Sequence, residues 1–216
     1  MTIEDLSKLA QIIFYITMGT VAILTYKKAK STLMNTVNTE YQKHVITTLI
    51  NISNEVYSEF DITHDNHWSK ANNIKTIVEE INNEFTTHKD QIIKEGEFNP
   101  GIRSSNVELR LNHSLQKYKS DPLLPDEIRD SLTNLLKKRL KAEGDIRAQI
   151  LNEYRHDLAN GKYNSDLDRN YLWLSNEINH ALYDRGCGIS QIEDEIHSIR
   201  IKIKDYLNSY NPLKNP

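Results

Sequence analysis

The chain has 216 residues, and 38% of them are hydrophobic, which is a lean supply of apolar side chains for a globular protein. A formal net charge of −3 excludes the strong positive field of a dedicated nucleic-acid binder, so we do not expect nucleic acid as a partner. Seven glycines and five prolines are too few for an all-β or loop-rich fold. The single cysteine, Cys187, excludes an intrachain disulfide framework.

The hydrophobic residues are concentrated near the N-terminus. Residues 9–26, LAQIIFYITMGTVAILTY, carry no charge, and 13 of these 18 residues are hydrophobic. As a helix, this apolar run is about 27 Å long, close to the roughly 30 Å of a bilayer's hydrocarbon core. We therefore predict a transmembrane helix over 9–26, after a short non-cytoplasmic N-terminus over 1–8. The alternatives are a cleaved signal peptide, which the acidic start disfavours, and the core helix of a soluble protein.

Lysines flank the apolar run unequally. Lys27, Lys28 and Lys30 follow it closely, whereas Lys8 alone precedes it. The positive-inside rule therefore predicts a single-pass protein of the inner (cell) membrane with its C-terminal domain in the cytoplasm. The three lysines form a juxtamembrane basic collar that anionic lipid would attract.

Polar and small residues interrupt the apolar run. Gln11, Thr17, Thr20 and Thr25 supply polar groups that can pack membrane helices together or line a pathway, and Gly19 allows close approach of two helices. These five residues are the predicted pore positions. In the alternative interpretation, a single lipid-facing helix tolerates isolated polar groups.

Helical periodicity dominates the remaining sequence, where apolar residues recur at steps of three and four. The predicted fold is all-α, with the transmembrane helix continuing through a juxtamembrane helix into a cytoplasmic helical bundle that has coiled-coil-like heptad faces. The juxtamembrane helix carries one apolar stripe: Leu33, Val37, Tyr41, Val45, Leu49, Ile52, Val56 and Phe60. The predicted segments are the juxtamembrane helix 27–60, a turn over 60–68 and a bundle over 61–216. The predicted helices of the bundle cover 69–95, 105–118, 125–160 and 166–185, and a last helix runs from Ser190 through Tyr210 and stops at Pro212.

Local signals refine this bundle. His88 is expected at a core position of the helix over 69–95, and Leu140 on the apolar face of the helix over 125–160. Gly144 is expected to bend or split that helix. Ser190 and Glu193 fit a capping box at the start of the last helix.

Motifs that carry chemistry are sparse. The glycines are too dispersed for a phosphate-binding loop, and neither a Gly-x-Ser-x-Gly elbow nor a His-Glu-x-x-His motif occurs. The Arg and His four to six residues apart that HEPN-class ribonucleases use are also absent from the sequence. We therefore predict a protein that is not an enzyme and needs no cofactor.

One histidine pair has the residue types of a metal site. His64 and His67, with Asp61 nearby, could supply two imidazoles and a carboxylate to zinc. The pair lacks the further ligand that fixes such sites. The alternative is a polar turn in which His64 and Asp61 cap backbone amides.

The cysteine also has two interpretations. Cys187 lies between two glycines, and an accessible thiol there could have its pKa lowered by the amides that begin the last helix. His180 and His197 are the nearest bases in sequence for a catalytic role. The alternative is a small side chain that fills a tight corner between two helices.

The densest basic run is Lys137, Lys138, Arg139 and Lys141. Four charges within five residues raise the local potential, so the run is a candidate patch for anionic lipid or nucleic acid. The alternative is the solvated face of a helix.

The layout of the chain resembles that of a known group of proteins. A single N-terminal span that ends in residues 23–33, ILTYKKAKSTL, and leads into a long helix and a small helical domain is similar to bacterial single-span proteins encoded in anti-phage loci. One such group is the membrane accessory protein of type VI-B CRISPR systems. The resemblance implies self-assembly into a pore-like oligomer that depolarises the membrane, and it transfers no catalytic residue.

These observations predict a non-enzymatic, self-assembling membrane effector that permeabilises or depolarises the membrane in bacterial antiviral defence. Its partners would be the membrane, further copies of the chain and a cytosolic protein. Two alternatives remain: a passive membrane anchor or scaffold for a cytosolic partner, and a soluble helical accessory domain that is nuclease-like or binds RNA.

Overall fold

The structure is a computed structural model that describes residues 3–71, 73–163 and 165–209. Within these residues the chain is all-α and contains no strand, which confirms the predicted fold class. The residues predicted to complete and end the last helix, Tyr210 and Pro212, lie outside the described residues. The helices are α1 (Ile3–Tyr57), α2 (Trp68–Ala71), α3 (Ile74–Thr87), α4 (Lys89–Glu95), α5 (Asn106–Lys119), α6 (Asp126–Ala159), a 3₁₀ turn (Leu167–Arg169), α7 (Asn170–Asp184) and α8 (Ile189–Ser209).

The chain divides into two compact units, Met1–Thr47 and Thr48–Pro216. In the first unit, every described residue belongs to α1. The second unit is a helical domain, called here the bundle unit, with its own core. The continuous helix predicted to follow the apolar run is confirmed, and it ends at Tyr57.

The turn after α1 is held by its own polar side chains. Oδ1 of Asp61 accepts hydrogen bonds from the amide and the hydroxyl of Thr63, at 2.9 and 2.7 Å. Nδ1 of His64 accepts from the amide of Asn66 at 3.1 Å. The side chains thus satisfy backbone donors that would otherwise be unpaired, and they reverse the chain before α2.

The helix predicted over 69–95 is divided into α2, α3 and α4. The break between α3 and α4 falls at His88, which is exposed, so its predicted core position is wrong. Thr86 and Thr87 precede the break, and their hydroxyls donate to the carbonyls four residues back, at 2.7 and 2.8 Å. Such bonding weakens a helix, and two adjacent β-branched residues weaken it further.

Helix α6 is the centre of the bundle unit and packs against α4, α5, α7 and α8, while α3 packs against α7. It runs unbroken through Gly144, so the predicted division there is wrong. A Cβ at this position would lie 3.4 Å from Oε1 of Glu108. This is an ordinary contact distance to the end of a flexible side chain, so the packing of α5 on α6 does not require a glycine here.

A polar network ties α3, α6 and α7 together inside the core. The hydroxyl of Tyr154 donates to Oδ1 of Asn82 at 2.5 Å and accepts from Nδ2 of Asn170 at 2.9 Å. All three residues are buried. Burial raises the pKa of Tyr154, so the phenol stays protonated and both bonds persist at neutral pH.

The corner between α7 and α8 is closed by two glycines. Gly186 has φ +69°, and the amides of Gly186 and Cys187 donate to the carbonyls of Tyr183 and Leu182, which ends α7 in a Schellman motif. The predicted capping box is wrong, because the amide of Gly188 donates instead to Oε1 of Gln191, at 2.8 Å. A Cβ on Gly188 would lie 2.7 Å from Cδ2 of Tyr183, so only glycine fits at this tight start of α8.

Candidate functional site

Among the described residues, one helix is long and apolar enough to span a membrane, by length and composition: Ala10–Tyr57 of α1, near the N-terminus. Every side chain from residue 10 to residue 26 is exposed within the chain. Ile16, for example, exposes 63% of its surface, and Leu24 exposes 60%. The core helix of a soluble protein would bury one face, which this stretch does not do within the described residues.

The five predicted pore positions do not share one face of α1. With about 100° between successive residues, Gln11, Thr17, Gly19, Thr20 and Thr25 are distributed around the whole circumference of the helix. The hydroxyls of Thr17 and Thr20 donate to the carbonyls of residues four positions earlier, both at 2.8 Å. Their polar groups are thus satisfied within α1, as a lipid-facing helix requires.

The same helix carries a second exposed apolar surface beyond the basic collar. Leu33, Val37 and Tyr41, called here the exposed stripe, follow each other at intervals of four residues and lie on one face of α1. They expose 67%, 65% and 52% of their surfaces. The collar residues Lys27, Lys28 and Lys30 are also exposed.

Five charged residues form a buried charge cluster inside the bundle unit: Glu59, Arg110, Arg139, Glu143 and Arg147. Oε2 of Glu59 lies 2.9 Å from Nη2 of Arg139, and its Oε1 accepts a short hydrogen bond from Arg110. Nε of Arg147 donates to Oε2 of Glu143 at 2.9 Å. Four of the five are buried by nine-tenths or more, and Arg110 is partly buried.

The cluster removes one residue, Arg139, from the predicted basic patch. Arg139 is buried and paired with Glu59, so it does not belong to the surface run. Nζ of Lys138 lies 2.7 Å from Oε1 of Glu195 on α8. Lys137 and Lys141 are the two exposed residues of the run that take no part in these contacts. Leu140, predicted in the core, is only half-buried, because Arg139 takes the inward position beside it.

The sequence contained a signal for this cluster that its apolar pattern hid. Arg139 and Glu143 continue the three- and four-residue spacing of the buried Leu132 and Leu136 on α6, and Arg147 follows Glu143 by four residues. Charged residues at core spacing indicate buried ion pairs. Glu59 gave no comparable signal, because it lies in the turn after α1.

The histidine pair is used by its own turn. Nδ1 of His67 lies 2.8 Å from the hydroxyl of Ser69, and Nδ1 of His64 is bonded as described above. Asp61 is likewise engaged with Thr63. Across the described ranges, no three His, Cys, Asp or Glu side chains form a group that could hold a metal ion.

Cys187 is not the accessible thiol that its glycine neighbours suggested. It is only 3% exposed, and burial raises the pKa of its thiol. The positive charges of Lys138 and Arg139 oppose this shift without reversing it. The residue therefore packs the corner between α7 and α8, as the alternative interpretation held.

The fold and these surfaces define an all-α protein with one candidate membrane-spanning helix and one helical domain. Comparison with protein-family models finds no matching family, and no curated protein or solved structure matches the chain.

Proposed function

We propose that the chain is a single-pass protein of the bacterial inner membrane with its helical domain in the cytoplasm. The exposed apolar surface of residues 10–26 carries this proposal. A helix of this length fits the hydrocarbon core, and the bilayer removes its apolar surface from water. The basic collar then lies on the cytoplasmic side, where anionic headgroups attract it.

Extraction of isolated membranes tests the anchor. We expect the full chain to remain in the membrane pellet at alkaline pH and to enter solution only with detergent. A variant that lacks residues 3–30 should appear in the soluble fraction. Recovery of the full chain in solution without detergent would contradict the anchor and favour the soluble accessory domain.

Reporter fusions to the C-terminus test the orientation. A fluorescent protein that matures only in the cytoplasm should be active, and alkaline phosphatase, which requires the periplasm, should be inactive. Replacing Lys27, Lys28 and Lys30 by Gln should make the orientation mixed, because it removes the charge asymmetry. The reverse pair of reporter activities in the unmodified chain would contradict a cytoplasmic domain.

The proposal includes self-assembly through the exposed stripe. Membrane insertion in one orientation holds α1 of every copy parallel and at the same height, so that Leu33, Val37 and Tyr41 of neighbouring copies face each other in register. Association then covers apolar surface that the isolated chain leaves exposed. Concentration of the chains in two dimensions reduces the entropic cost of association.

Cysteine cross-linking tests this contact. In a Cys187→Ser background, Val37→Cys should give a disulfide-linked dimer in membranes under mild oxidation. Asn35→Cys is the matched control, because residue 35 lies about 200° from residue 37 around the helix. Equal cross-linking at the two positions would contradict a contact through the stripe.

The effector function follows from assembly, because several spans that are brought together make the bilayer permeable. The resemblance to proteins of anti-phage loci supplies the setting of antiviral defence. Induced expression with a membrane-potential dye should show depolarisation that is lost in the variant without residues 3–30. Val37→Asp, which places a charge on the stripe, should also reduce it, whereas Asn35→Asp should not.

A second candidate, a passive anchor for a cytosolic partner, is favoured by one observation. The hydroxyls of Thr17 and Thr20 are satisfied within α1, and the polar residues of the run do not share a face. A single lipid-facing helix needs nothing more. An unchanged membrane potential at full expression, with the chain in the membrane, would favour this candidate.

A further inference from the structure

A cavity of about 360 Å³ opens at the surface of the bundle unit next to the start of α8, and it is called here the α8 cavity. Its size falls within the range of small-molecule sites. The charged and polar residues of its lining include Arg110, Glu143, Arg147 and His180. Nothing in the proposed membrane function uses this cavity.

The buried charge cluster beside the cavity is not neutral. It holds three arginines against two glutamates, which leaves one positive charge without a counter-charge in the cluster. Arginine stays protonated in proteins, so the cluster cannot become neutral by losing a proton. Burial lowers the pKa of Arg110, which lines the α8 cavity; Arg139 lowers it further, whereas Glu59 and Glu143 raise it. Because Arg110 is only partly buried, this excess charge is partly hydrated, and an ion of opposite sign would stabilise it.

Arg147 has a donor that the described residues leave unused. The residue is only 6% exposed, and its Nε is occupied by Glu143. Its Nη1 is buried and has no hydrogen-bond partner among the described residues. Because Arg147 also lines the α8 cavity, its guanidinium with an unused N–H group is the part of the lining that suits an oxyanion.

The N-terminus of α8 adds a second attraction for negative charge. Gly188, Ile189 and Ser190 line the cavity at the start of this helix of 21 residues. The amide of Gly188 is occupied by Gln191, but the first helical turn still directs its dipole toward the cavity. The carboxylate of Glu143 is the only opposing charge in the described lining, and it is already paired with Arg147.

Most of the remaining lining is apolar, and it includes two rings that are open to solvent. Trp68 exposes 47% of its surface and Tyr183 exposes 57%, and Val107 and Leu182 lie deeper. Exposed aromatic rings at a cavity bind flat apolar groups well. We propose that the α8 cavity binds a small organic anion, with its carboxylate or phosphate group held by Arg147 and the start of α8, and a flat apolar part against the two rings.

Calorimetric titration of the full chain in detergent tests this site with phenyl phosphate and benzoate as probes. Benzamide is the matched neutral ligand, because it has the ring without the charge. We expect saturable binding of at least one anion and at least about tenfold weaker binding of benzamide. Absence of saturable binding by both anions, or equal binding of benzamide, would overturn the proposal.

Ser190→Glu places a negative charge at the cavity while keeping the helix stable, because an acidic residue suits a first helical turn. Ser190 is exposed, so the substitution disturbs no packing. We expect about tenfold weaker anion binding. Ser198→Glu, on an exposed position of the same helix, makes the same charge change away from the cavity and should leave the affinity within about twofold.

Arg147→Gln gives an independent measurement that includes folding. Circular dichroism establishes that the variant is helical before titration, and a folded variant should lose most of the anion affinity. If the variant does not fold, Ser190→Glu alone decides the test. Unchanged anion affinity in Ser190→Glu would overturn the site at the start of α8.

Discussion

The apolar run of α1 and the bundle unit satisfy their polar groups in different ways. In the run, the hydroxyls of Thr17 and Thr20 bond to carbonyls of the same helix. In the bundle unit, Tyr154 joins Asn82 and Asn170 on two other helices. A lipid-facing helix must satisfy its polar groups by itself, whereas a domain core can satisfy them between helices. The exposed run thus satisfies these two hydroxyls within one helix, whereas the buried hydroxyl of Tyr154 joins three helices.

Substitution of a charged residue should give the largest difference in stability effect between the bundle unit and α1. Glu59→Gln leaves Arg139 and Arg110 without their counter-charge in the interior and should lower the free energy of unfolding by about 3–5 kcal/mol. Both tryptophans, Trp68 and Trp173, lie in the bundle unit, so urea titration of their fluorescence in detergent reports its unfolding.

Glu40→Gln is the matched control on α1. Glu40 is paired with Lys43 at 2.7 Å, and both side chains are mostly exposed. Exposed pairs contribute little, so the unfolding midpoint should not change measurably. Equal effects of the two substitutions would show that burial of the charge cluster has been misjudged.

Truncation of an apolar side chain should show the next largest contrast. Leu132 is fully buried on α6, and Leu132→Ala should cost about 2–5 kcal/mol, because it removes burial and leaves a cavity. Leu24→Ala on α1 should leave the fluorescence transition unchanged, because Leu24 is exposed and does not belong to a packed core. A loss above about 1 kcal/mol for Leu24→Ala would contradict the separation of the two regions.

The core hydrogen bonds give a smaller contrast. Tyr154→Phe removes the hydroxyl that joins Asn82 and Asn170 and should cost about 1–3 kcal/mol, because both amide groups remain buried. Tyr26→Phe is the control at an exposed position of α1 and should have no effect on the same transition. A neutral Tyr154→Phe would mean that water replaces the hydroxyl in the network.

Much of the helical architecture could be predicted from the sequence, because a buried face of a helix repeats its apolar residues at steps of three and four. This spacing placed α5, α6 and α7 to within a few residues at most of their ends. It failed at His88, where two threonines that bond to their own helix end α3. Periodicity describes a face, whereas the end of a helix depends on local backbone bonding.

The buried charge cluster could not be predicted as a site. A charged residue within an apolar pattern is normally assigned to the surface, as Arg139 was, and its burial depends on a partner that is distant in sequence. Glu59 lies 80 positions before Arg139 and comes from a turn. The spacing of Arg139, Glu143 and Arg147 on α6 indicated buried charges, but it did not indicate that Glu59 pairs with one of them.

The smallest difference between the two regions should come from removal of a side-chain hydroxyl, one that caps a helix of the bundle unit and one that lies within α1. Ser105 and Glu108 form a capping box, with hydrogen bonds of 3.1 and 2.7 Å between each side chain and the other's backbone amide. Ser105→Ala should lower the free energy of unfolding by about 1 kcal/mol, because a donor at the start of α5 loses its only acceptor in the cap. Ser104→Ala, at the exposed neighbouring residue, is the matched control.

Thr20→Val makes the corresponding change within α1. It should lower the stability of the helix by less than about 0.5 kcal/mol, because the carbonyl of Ile16 can still accept the backbone hydrogen bond of the helix. The measurement is the fraction of chain retained in membranes after alkaline extraction, which should stay equal or rise as the side chain becomes more apolar. A marked loss of retention would show that the hydroxyl of Thr20 bonds to a neighbouring helix in the membrane. That result would strengthen the pore interpretation over the passive anchor, because it would give the polar residues of the run a partner outside α1.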